Sequence, residues 1–530
     1  MGKWTVWGAV VALLTVSAPA GSAATATARE AAAAARSAHP TWSGQGARAA
    51  TEKPNIIFIL TDDLDAADIA KFPNISKLLT AQGTTFSRFF VTNPWCCPSR
   101  SSILRSQSVH NHQVSSNRFP SGGFPKFHPM EGSTVGTWMR QAGYRTALLG
   151  KYLNEYPAGK ATYIPPGWDE WAVPVTALYQ EYGYRLNANG GIAPHGFAPE
   201  DYLADVLTRK AVDFAAKDGP FFLYLSPVAP HRPAHYAPRH ENAFADAKAP
   251  RTPSFNQEDV SAEPEWIRRR KPLSNKVIKE IDRHYRDRLR AMLGVDDMVG
   301  TLVSELTRTG KLSNTYIFFT SDNGFHLGHH RLRPGKTTPF EEDIRVPMIV
   351  RGPGVPAGHT VRELGSSVDF AATFADLAGG RLPEFCEGRS LVPLLFGDAV
   401  PWRNAALVEF VQPDYAPGTP PTYNVLRTDR YSYVEYATGE RQLYDLSADP
   451  YQLRNLAAVA EPELIRRLSE WLGRLRTCQG ATCRTASVAP PSGTLAELST
   501  IRPVNAGWSQ NPVPMAPLMP ATPDLWRRKS

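Results

Sequence analysis

The chain has little cysteine: five residues in 530, two of them adjacent. No Cys/His cluster with the spacing that holds zinc occurs. Long hydrophobic runs are missing too. Past the first 16 residues nothing stays apolar long enough to cross a bilayer, so no stable membrane anchor is expected. Neither sign of charge dominates a segment: 58 Lys and Arg face 50 Asp and Glu, a formal +8, scattered along the chain. That basic excess favours anionic partners. With no nucleic-acid-binding signature and no basic stripe, nucleic acid is not among those expected. No internal repeat is present. What remains is an ordinary globular composition, 42% hydrophobic and 20% charged, in a chain long enough for two domains.

The N-terminus reads as an export signal. Lys3 supplies the positive start, Trp4 to Val16 form a short apolar stretch, and small residues follow. Cleavage falls after Ala18-Pro19-Ala20 or Gly21-Ser22-Ala23, so residues 1–23 are assigned to the signal. The alanine-rich residues 24–52 form a disordered lead, and the expected mature protein is secreted. Export permits disulfides, and Cys478 and Cys483 are near enough for a small loop bridge. Cys386 stands alone, as a buried free thiol does. A bridge between the neighbours Cys96 and Cys97 would be strained, which leaves Cys96 available for other chemistry.

From residue 53 onward, strands alternate with helices. Asn55 to Leu60 (NIIFIL) is a continuous apolar run of the kind that forms a buried parallel strand, and it ends in Thr61-Asp62-Asp63. Helices are expected at about Ile75–Gln82 and Thr134–Ala142, and strands at Thr146–Leu149 and Phe221–Leu225. Asp205–Ala216 reads as another helix, and Asn275–Thr309 as a long one with a break at Gly294. Thr315 to Thr320 is a second buried strand, ending in Ser321-Asp322-Asn323-Gly324. This alternation predicts an α/β domain with a largely parallel sheet covered on both faces. After about Gly380 the pattern changes. Ala406–Val411, Tyr423–Arg427 and Tyr431–Tyr436 suit an antiparallel sheet, followed by an amphipathic helix at Glu463–Arg476. Residues 53–380 and 381–485 are therefore taken as two domains, and 486–530 as a Pro-rich tail.

Two strands thus end in hard oxygen donors. Alone, Asp62-Asp63 or Asp322-Asn323 would be read as a turn or a helix cap. Ligands bind at the carboxyl ends of strands in open α/β sheets, so convergence there makes a cation site of the Ca²⁺ or Mg²⁺ type. Between them lies Cys96-Cys97-Pro98-Ser99-Arg100, which fits a loop entering a helix with Pro98 near its first position. Such a helix start favours an anion beside residue 96, and Arg100 adds a charged contact to the same centre.

These segments resemble the sulfatases of the alkaline phosphatase superfamily. The resemblance covers residues 53–485 and rests on NIIFILTDD, CCPSRSSIL, GYRTALLGKYLNEY, APHRP, TSDNG with Lys336 downstream, VPMIVRGPG and LYDLSADPYQLRNLA. CCPSRSSIL, the HNH at His110 to His112, GKYLNEY and EWIRRRKPLSNKVIKEIDRHYRDRL are similar to the N-acetylglucosamine-6-sulfatase branch. It implies an alkaline phosphatase-like fold: a large mixed, mostly parallel sheet sandwiched by helices, with a smaller C-terminal antiparallel-sheet subdomain. Read in the form C-x-P-S-R, the motif implies that Cys96 is oxidised to formylglycine by a formylglycine-generating enzyme. Asp62, Asp63, Asp322 and Asn323 would then hold Ca²⁺ (or Mg²⁺) together with residue 96. Arg100 would help acidify the nucleophilic hydroxyl, Lys151 and Lys336 would bind the sulfate oxygens, and His231 would protonate the leaving oxygen. The implied substrate is a sulfated carbohydrate, such as a 6-sulfated N-acetylglucosamine, or a small sulfate ester.

Bottom-up placement agrees for Lys151 and His231, each shortly after a strand at the ligand edge of the sheet. His326, His329, His330, His110 and His112 are left between substrate-facing and structural roles. Two positions depart from the family pattern. Leu153 stands where many sulfatases have His, as it does in the glucosamine-6-sulfatase branch. Arg105-Ser106 stands where Thr-Gly is usual, at positions that shape the helix and help the modifying enzyme recognise its substrate. Two other readings are kept: a phosphoesterase of the same superfamily, which would use an encoded Ser or Thr nucleophile and two metals, and a non-catalytic glycan-binding homologue.

Overall fold

The computed structural model describes residues 53–412 and 419–488. The expected export signal, the lead before Lys53 and the tail beyond residue 488 lie outside the described residues. The strands, in chain order, are β1 (Asn55–Thr61), β2 (Thr84–Phe86), β3 (Phe89–Phe90), β4 (Arg145–Gly150), β5 (Glu170–Thr176), β6 (Arg185–Ala188), β7 (Gly191–Pro194) and β8 (Phe221–Ser226). They continue with β9 (Thr315–Ser321), β10 (Met348–Arg351), β11 (His359–Val361), β12 (Gly365–Ser366), β13 (Ala405–Phe410), β14 (Tyr423–Thr428), β15 (Tyr431–Tyr436) and β16 (Arg441–Asp445). The principal helices are α1 (Cys96–Arg105), α2 (Val135–Gln141), α3 (Leu203–Ala216), α4 (Asn275–Arg308), α5 (Asp369–Leu377) and α6 (Pro462–Leu475).

Ten strands form one sheet in the order β11-β2-β10-β9-β1-β8-β4-β5-β6-β7. Its centre, β9-β1-β8-β4-β5, is parallel, while β10, β6 and β7 pair antiparallel at the flanks. The sheet is covered on both faces. Ile57 and Ile59 of β1 pack with α3 and α4 residues, including Leu207, Met292 and Val299. The alternate residues Ile56, Phe58 and Leu60 pack with Val135, Phe370 and Phe374 of α2 and α5. A strand buried on both sides needs an apolar residue at every position, which is why NIIFIL shows no alternation. Burial of each such side chain is worth about 1.5–3 kcal/mol.

Register places the chemistry. In the β1–β9 pair Thr61 lies opposite Ser321, so Asp62-Asp63 and Asp322-Asn323 leave the sheet side by side. In the β4–β8 pair Gly150 lies opposite Ser226, which brings Lys151 and the loop to His231 to the same edge.

One expected feature is corrected. Helix α4 runs unbroken through Gly294. A Cβ there would sit 2.8 Å from the ring of Tyr202, so the glycine serves close packing rather than a kink. The expected helix at Ile75–Gln82 is shorter, Ile75–Thr80, with π-type geometry. Strands β5 to β7, which widen the sheet, were not expected; they lack long β-branched runs. The smaller antiparallel sheet has the three expected strands and a fourth, β16, in the order β13-β14-β15-β16. Leu464, Leu468, Trp471, Leu472 and Leu475 line one side of α6 and pack on Leu426, Tyr433 and Leu443. The Cys478–Cys483 disulfide is present, while Cys96, Cys97 and Cys386 are buried free cysteines. No described helix is long and apolar enough to cross a membrane.

Candidate active site

The site is built at the carboxyl ends of β9, β1, β8 and β4. Asp63 turns the chain in the left-handed region (φ 70°), a conformation that Asp tolerates better than most residues. The turn lets both carboxylates of the Asp62-Asp63 pair serve one centre. The Asp63 amide donates to Asp322 Oδ1 (3.2 Å), and Asn323 Nδ2 donates to Asp63 Oδ1 (2.8 Å). Gly150 precedes Lys151 for a steric reason: with φ 104°, a Cβ there would lie 2.1 Å from the Ser226 carbonyl oxygen. That same carbonyl accepts the Lys151 amide at 2.8 Å.

Helix α1 opens at Cys96, with Pro98 inside its first turn, where a missing N–H costs nothing. Cys96 Sγ lies 3.4 Å from Asp62 Oδ1 and 2.7 Å from Lys336 Nζ. Lys336 also contacts Asp63 Oδ1 and lies 3.4 Å from Asn323 Oδ1. Lys151 Nζ donates to Asp62 Oδ2 at 2.6 Å and stands 3.9 Å from Asp322 Oδ2. Arg100 is wholly buried. Its Nε donates to Asp322 Oδ2 (2.7 Å), and Nη1 donates to the Lys151 carbonyl (2.9 Å) and Ser226 Oγ (2.7 Å). Among the described residues no hydrogen bond joins it to residue 96. His231 Nδ1 donates to the Arg232 carbonyl (2.6 Å), which points Nε2 toward Asp63 Oδ2 at 3.7 Å. All the nominated residues thus come together.

Charge in this pocket is balanced, with Asp62, Asp63 and Asp322 set against Arg100, Lys151 and Lys336. Burial disfavours the carboxylate of Asp62, but Lys151, His231, Arg100 and Lys336 outweigh it and hold its pKa well below the usual range. Asp63 is lowered the same way, against burial, chiefly by Lys336 and His231. Burial and the Asp62 charge push the Cys96 thiol up to about 12. Burial also lowers the His231 imidazole, against the pull of Asp62 and Asp63.

The donor set fits a hard divalent cation. Asp62, Asp63, Cys96 and His231 offer ligand atoms within 4.8 Å of one another. Asp63 Oδ1 and Asn323 Oδ1 already converge on a positive charge, the Lys336 ammonium. Oxygen donors dominate, as Ca²⁺ and Mg²⁺ require.

Two members were not foreseen. Tyr179 stacks on His231 with ring centroids 3.9 Å apart and lies 5.1 Å from Lys151 Nζ. It sits in an irregular segment with no motif. Arg288 of α4 is buried and donates to the Asp63 and Pro230 carbonyls, tying the two site loops together. In sequence it is one of many arginines on a helix. Of the other histidines weighed in the sequence, His326 pairs with Asp343, His330 stacks on Phe340 and bonds Gln257, and His329 accepts the Leu327 amide. His112 bonds Ser102, and His110 bonds Glu409. The left-handed Ser106 (φ 55°) caps α1 where the family pattern has glycine. Its hydroxyl bridges the Val368 carbonyl and the Gly388 amide.

A mostly parallel sheet with such a cluster at its edge defines a hydrolase of the alkaline phosphatase-like class. Residues 54–380 match the sulfatase family model, and 328–477 match the model for the C-terminal region of N-sulphoglucosamine sulphohydrolase. The chain belongs to the sulfatase family and is a sulfuric ester hydrolase. It is 36% identical to the N-acetylglucosamine-6-sulfatase of Homo sapiens, over 84% of this chain and 88% of the relative. The Capra hircus enzyme of the same name is 35% identical over 84% and 87%. Among solved structures, BT4656 in complex with its substrate D-glucosamine-2-N,6-O-disulfate superposes with a TM-score of 0.68. It is 25% identical and covers 80% of this chain and 97% of its own.

Proposed function

We propose that the protein is a secreted, divalent-cation-dependent sulfatase that removes sulfate from a sulfated sugar, a 6-sulfated N-acetylglucosamine being the favoured substrate. Cys96 is its formylglycine precursor. The observation that carries this reading is the position of Cys96: first residue of α1, flanked by Asp62 and Lys336 and within reach of Asp63. The relatives that act on N-acetylglucosamine 6-sulfate and the neighbour bound to a sulfated glucosamine support the substrate class.

Asp62, Asp63, Asp322 and Asn323 would hold the cation beside residue 96. When bound, it would acidify a hydroxyl and polarise the sulfate group. The hydrated aldehyde would supply one hydroxyl to attack sulfur and a second that later helps expel sulfate, leaving the aldehyde to be rehydrated. The side chains of this chain do the rest. Lys151 and Lys336 place ammonium groups on the sulfate oxygens and stabilise charge as the ester bond breaks. His231, with Nδ1–H donated to the Arg232 carbonyl, presents Nε2 to the departing sugar oxygen and delivers a proton there from its imidazolium form, which Asp62 and Asp63 favour against burial. Arg100 keeps Asp322 in place.

The test is mass spectrometry of the tryptic peptide containing residue 96, from a host with a formylglycine-generating enzyme. Conversion lowers the mass by about 18 Da. A wholly unmodified peptide in a preparation that releases sulfate from N-acetylglucosamine 6-sulfate would overturn the formylglycine reading.

A further inference from the structure

His231 is the most exposed of the nominated residues, with 19% of its side chain open to solvent. Among the described residues its ring makes one hydrogen bond, from Nδ1 to the carbonyl of its own neighbour Arg232. That bond selects the nitrogen that faces the site but leaves the ring free to swing about the bond's axis. Holding the ring still takes a wall on its face, and Tyr179 provides one. The two rings stack with centroids 3.9 Å apart and planes 15° apart. The same tyrosine ring faces Lys151 Nζ at 5.1 Å.

Tyr179 is itself held by its hydroxyl and by both residues that follow it. The hydroxyl accepts from Asn154 Nδ2 at 3.1 Å, and Asn154 stands three residues after Lys151 in the loop that leaves β4. Asn154 is fixed in turn by its carbonyl, which accepts the Phe124 amide at 2.7 Å. Gln180 Oε1 accepts from His235 Nε2 (3.1 Å), so the Tyr179 segment meets the His231 loop at two points. Glu181 ties the segment to the start of α3. Its carbonyl accepts the Leu203 amide (3.0 Å), and its buried carboxyl accepts the Ala204 amide (3.3 Å). On either side of Tyr179 the backbone turns left-handed, at Ala177 (φ 49°) and Glu181 (φ 60°), and neither residue is glycine. Such residues keep that conformation only where their surroundings over-determine it, and they gather at functional sites. The connection between β5 and β6 is thus a built support.

We propose that Tyr179 is a positioning residue: its ring holds the His231 imidazole with Nε2 on the departing sugar oxygen, and its hydroxyl keeps that ring in step with the Lys151 loop. The inference rests on the sulfatase reading above and extends it, because it gives the aim of the proton donor to a residue outside every motif in the chain. Tyr179 acts through His231, so it matters most where the leaving oxygen needs a proton. A sugar alkoxide is a poor leaving group and needs one, whereas a nitrophenolate departs without it. A donor misplaced by about 1 Å costs about a hundredfold in rate.

The test compares N-acetylglucosamine 6-sulfate with 4-nitrophenyl sulfate. Tyr179→Leu should lower kcat on the sugar ester by about 10- to 100-fold, a loss at least about tenfold greater than on the aryl ester. Tyr179→Phe keeps the ring and should stay within about fivefold of wild type. In a His231→Ala background, Tyr179→Leu should cost less than about twofold more, because the two residues act as one unit. A second readout needs no turnover. With the histidines labelled at ¹³Cε1, the His231 signal is assigned by its loss in His231→Ala. It should move downfield in Tyr179→Leu, where the ring current over the imidazole is lost, and hold its place in Tyr179→Phe. Equal losses on the two esters, full additivity with His231→Ala, or an unmoved signal would overturn the proposal. Sulfate release by the wild type from neither ester would refute the sulfatase reading instead, while the labelled signal would still decide whether Tyr179 holds the imidazole.

Discussion

Lys151 shows what a single residue contributes here. Its ammonium is fully buried between Asp62 and Asp322, and neither carboxylate meets solvent. Removing one partner of such a group leaves uncompensated charge in the interior. Lys151→Met should therefore cost about 3–5 kcal/mol of stability, read by denaturant unfolding. The same variant should slow sulfate release by about 10²–10³. Cys96→Ala is expected to differ: it removes a small side chain that makes no ion pair, so the melting temperature should move little while sulfate release falls by at least about a thousandfold. An active Cys96→Ala protein would refute the role given to residue 96. Ser106 marks a different trade. The left-handed conformation favours glycine, yet its hydroxyl bridges two backbone groups, so Ser106→Gly should change stability by less than about 1 kcal/mol.

At the scale of elements, the long helix α4 carries much of the site indirectly. Gly294 lets it approach Tyr202 at the head of α3, and six residues earlier Arg288 grips the carbonyls of Asp63 and Pro230. Helix propensity alone predicts that Gly294→Ala stabilises by about 1 kcal/mol. The 2.8 Å approach of a Cβ to the buried Tyr202 ring argues the opposite. Overpacking costs about 1–3 kcal/mol, so the variant should melt lower than wild type, and a rise in melting temperature would show that the helices can part cheaply.

Across the whole molecule, His110 ties the segment after α1 to the smaller antiparallel sheet. Its Nδ1 contacts Glu409 of β13 at 2.9 Å, and its Nε2 lies 2.9 Å from the carbonyl of the disulfide residue Cys478. Burial would lower this imidazole, but Glu409, the Cys478 carbonyl and Glu387 outweigh it and raise the pKa from 6.5 to about 9; His112, the other histidine nearby, stays neutral. A histidine raised on folding stabilises fully below the unfolded value and loses that contribution as pH climbs through the folded one. Stability should therefore fall between about pH 6.5 and 9, by on the order of 2 kcal/mol, and His110→Gln should flatten that part of the profile. The proposed cation has a separate signature. Chelation should lower the melting temperature and abolish sulfate release, and added Ca²⁺ should restore both.

Much of this was legible in the chain. The Cys-x-Pro-Ser-Arg segment at the start of α1 carries the family resemblance that implies its chemistry, and the two apolar strands ending in Asp-Asp and Asp-Asn are local patterns set by residue type and spacing. So are Lys151 after its glycine and the smaller sheet's first three strands. Gly294 was misread because glycine signals a break in a helix only when nothing packs against it. Tyr179 and Arg288 were invisible for a related reason: stacking on His231 and holding two distant carbonyls are properties of contacts between segments far apart in sequence. By itself the sequence determined the central strands, the oxygen donors at their ends and the family. Only the tertiary structure decided which charges neutralise one another and which are left facing solvent, because pairing depends on distances that the parallel register and helix packing set.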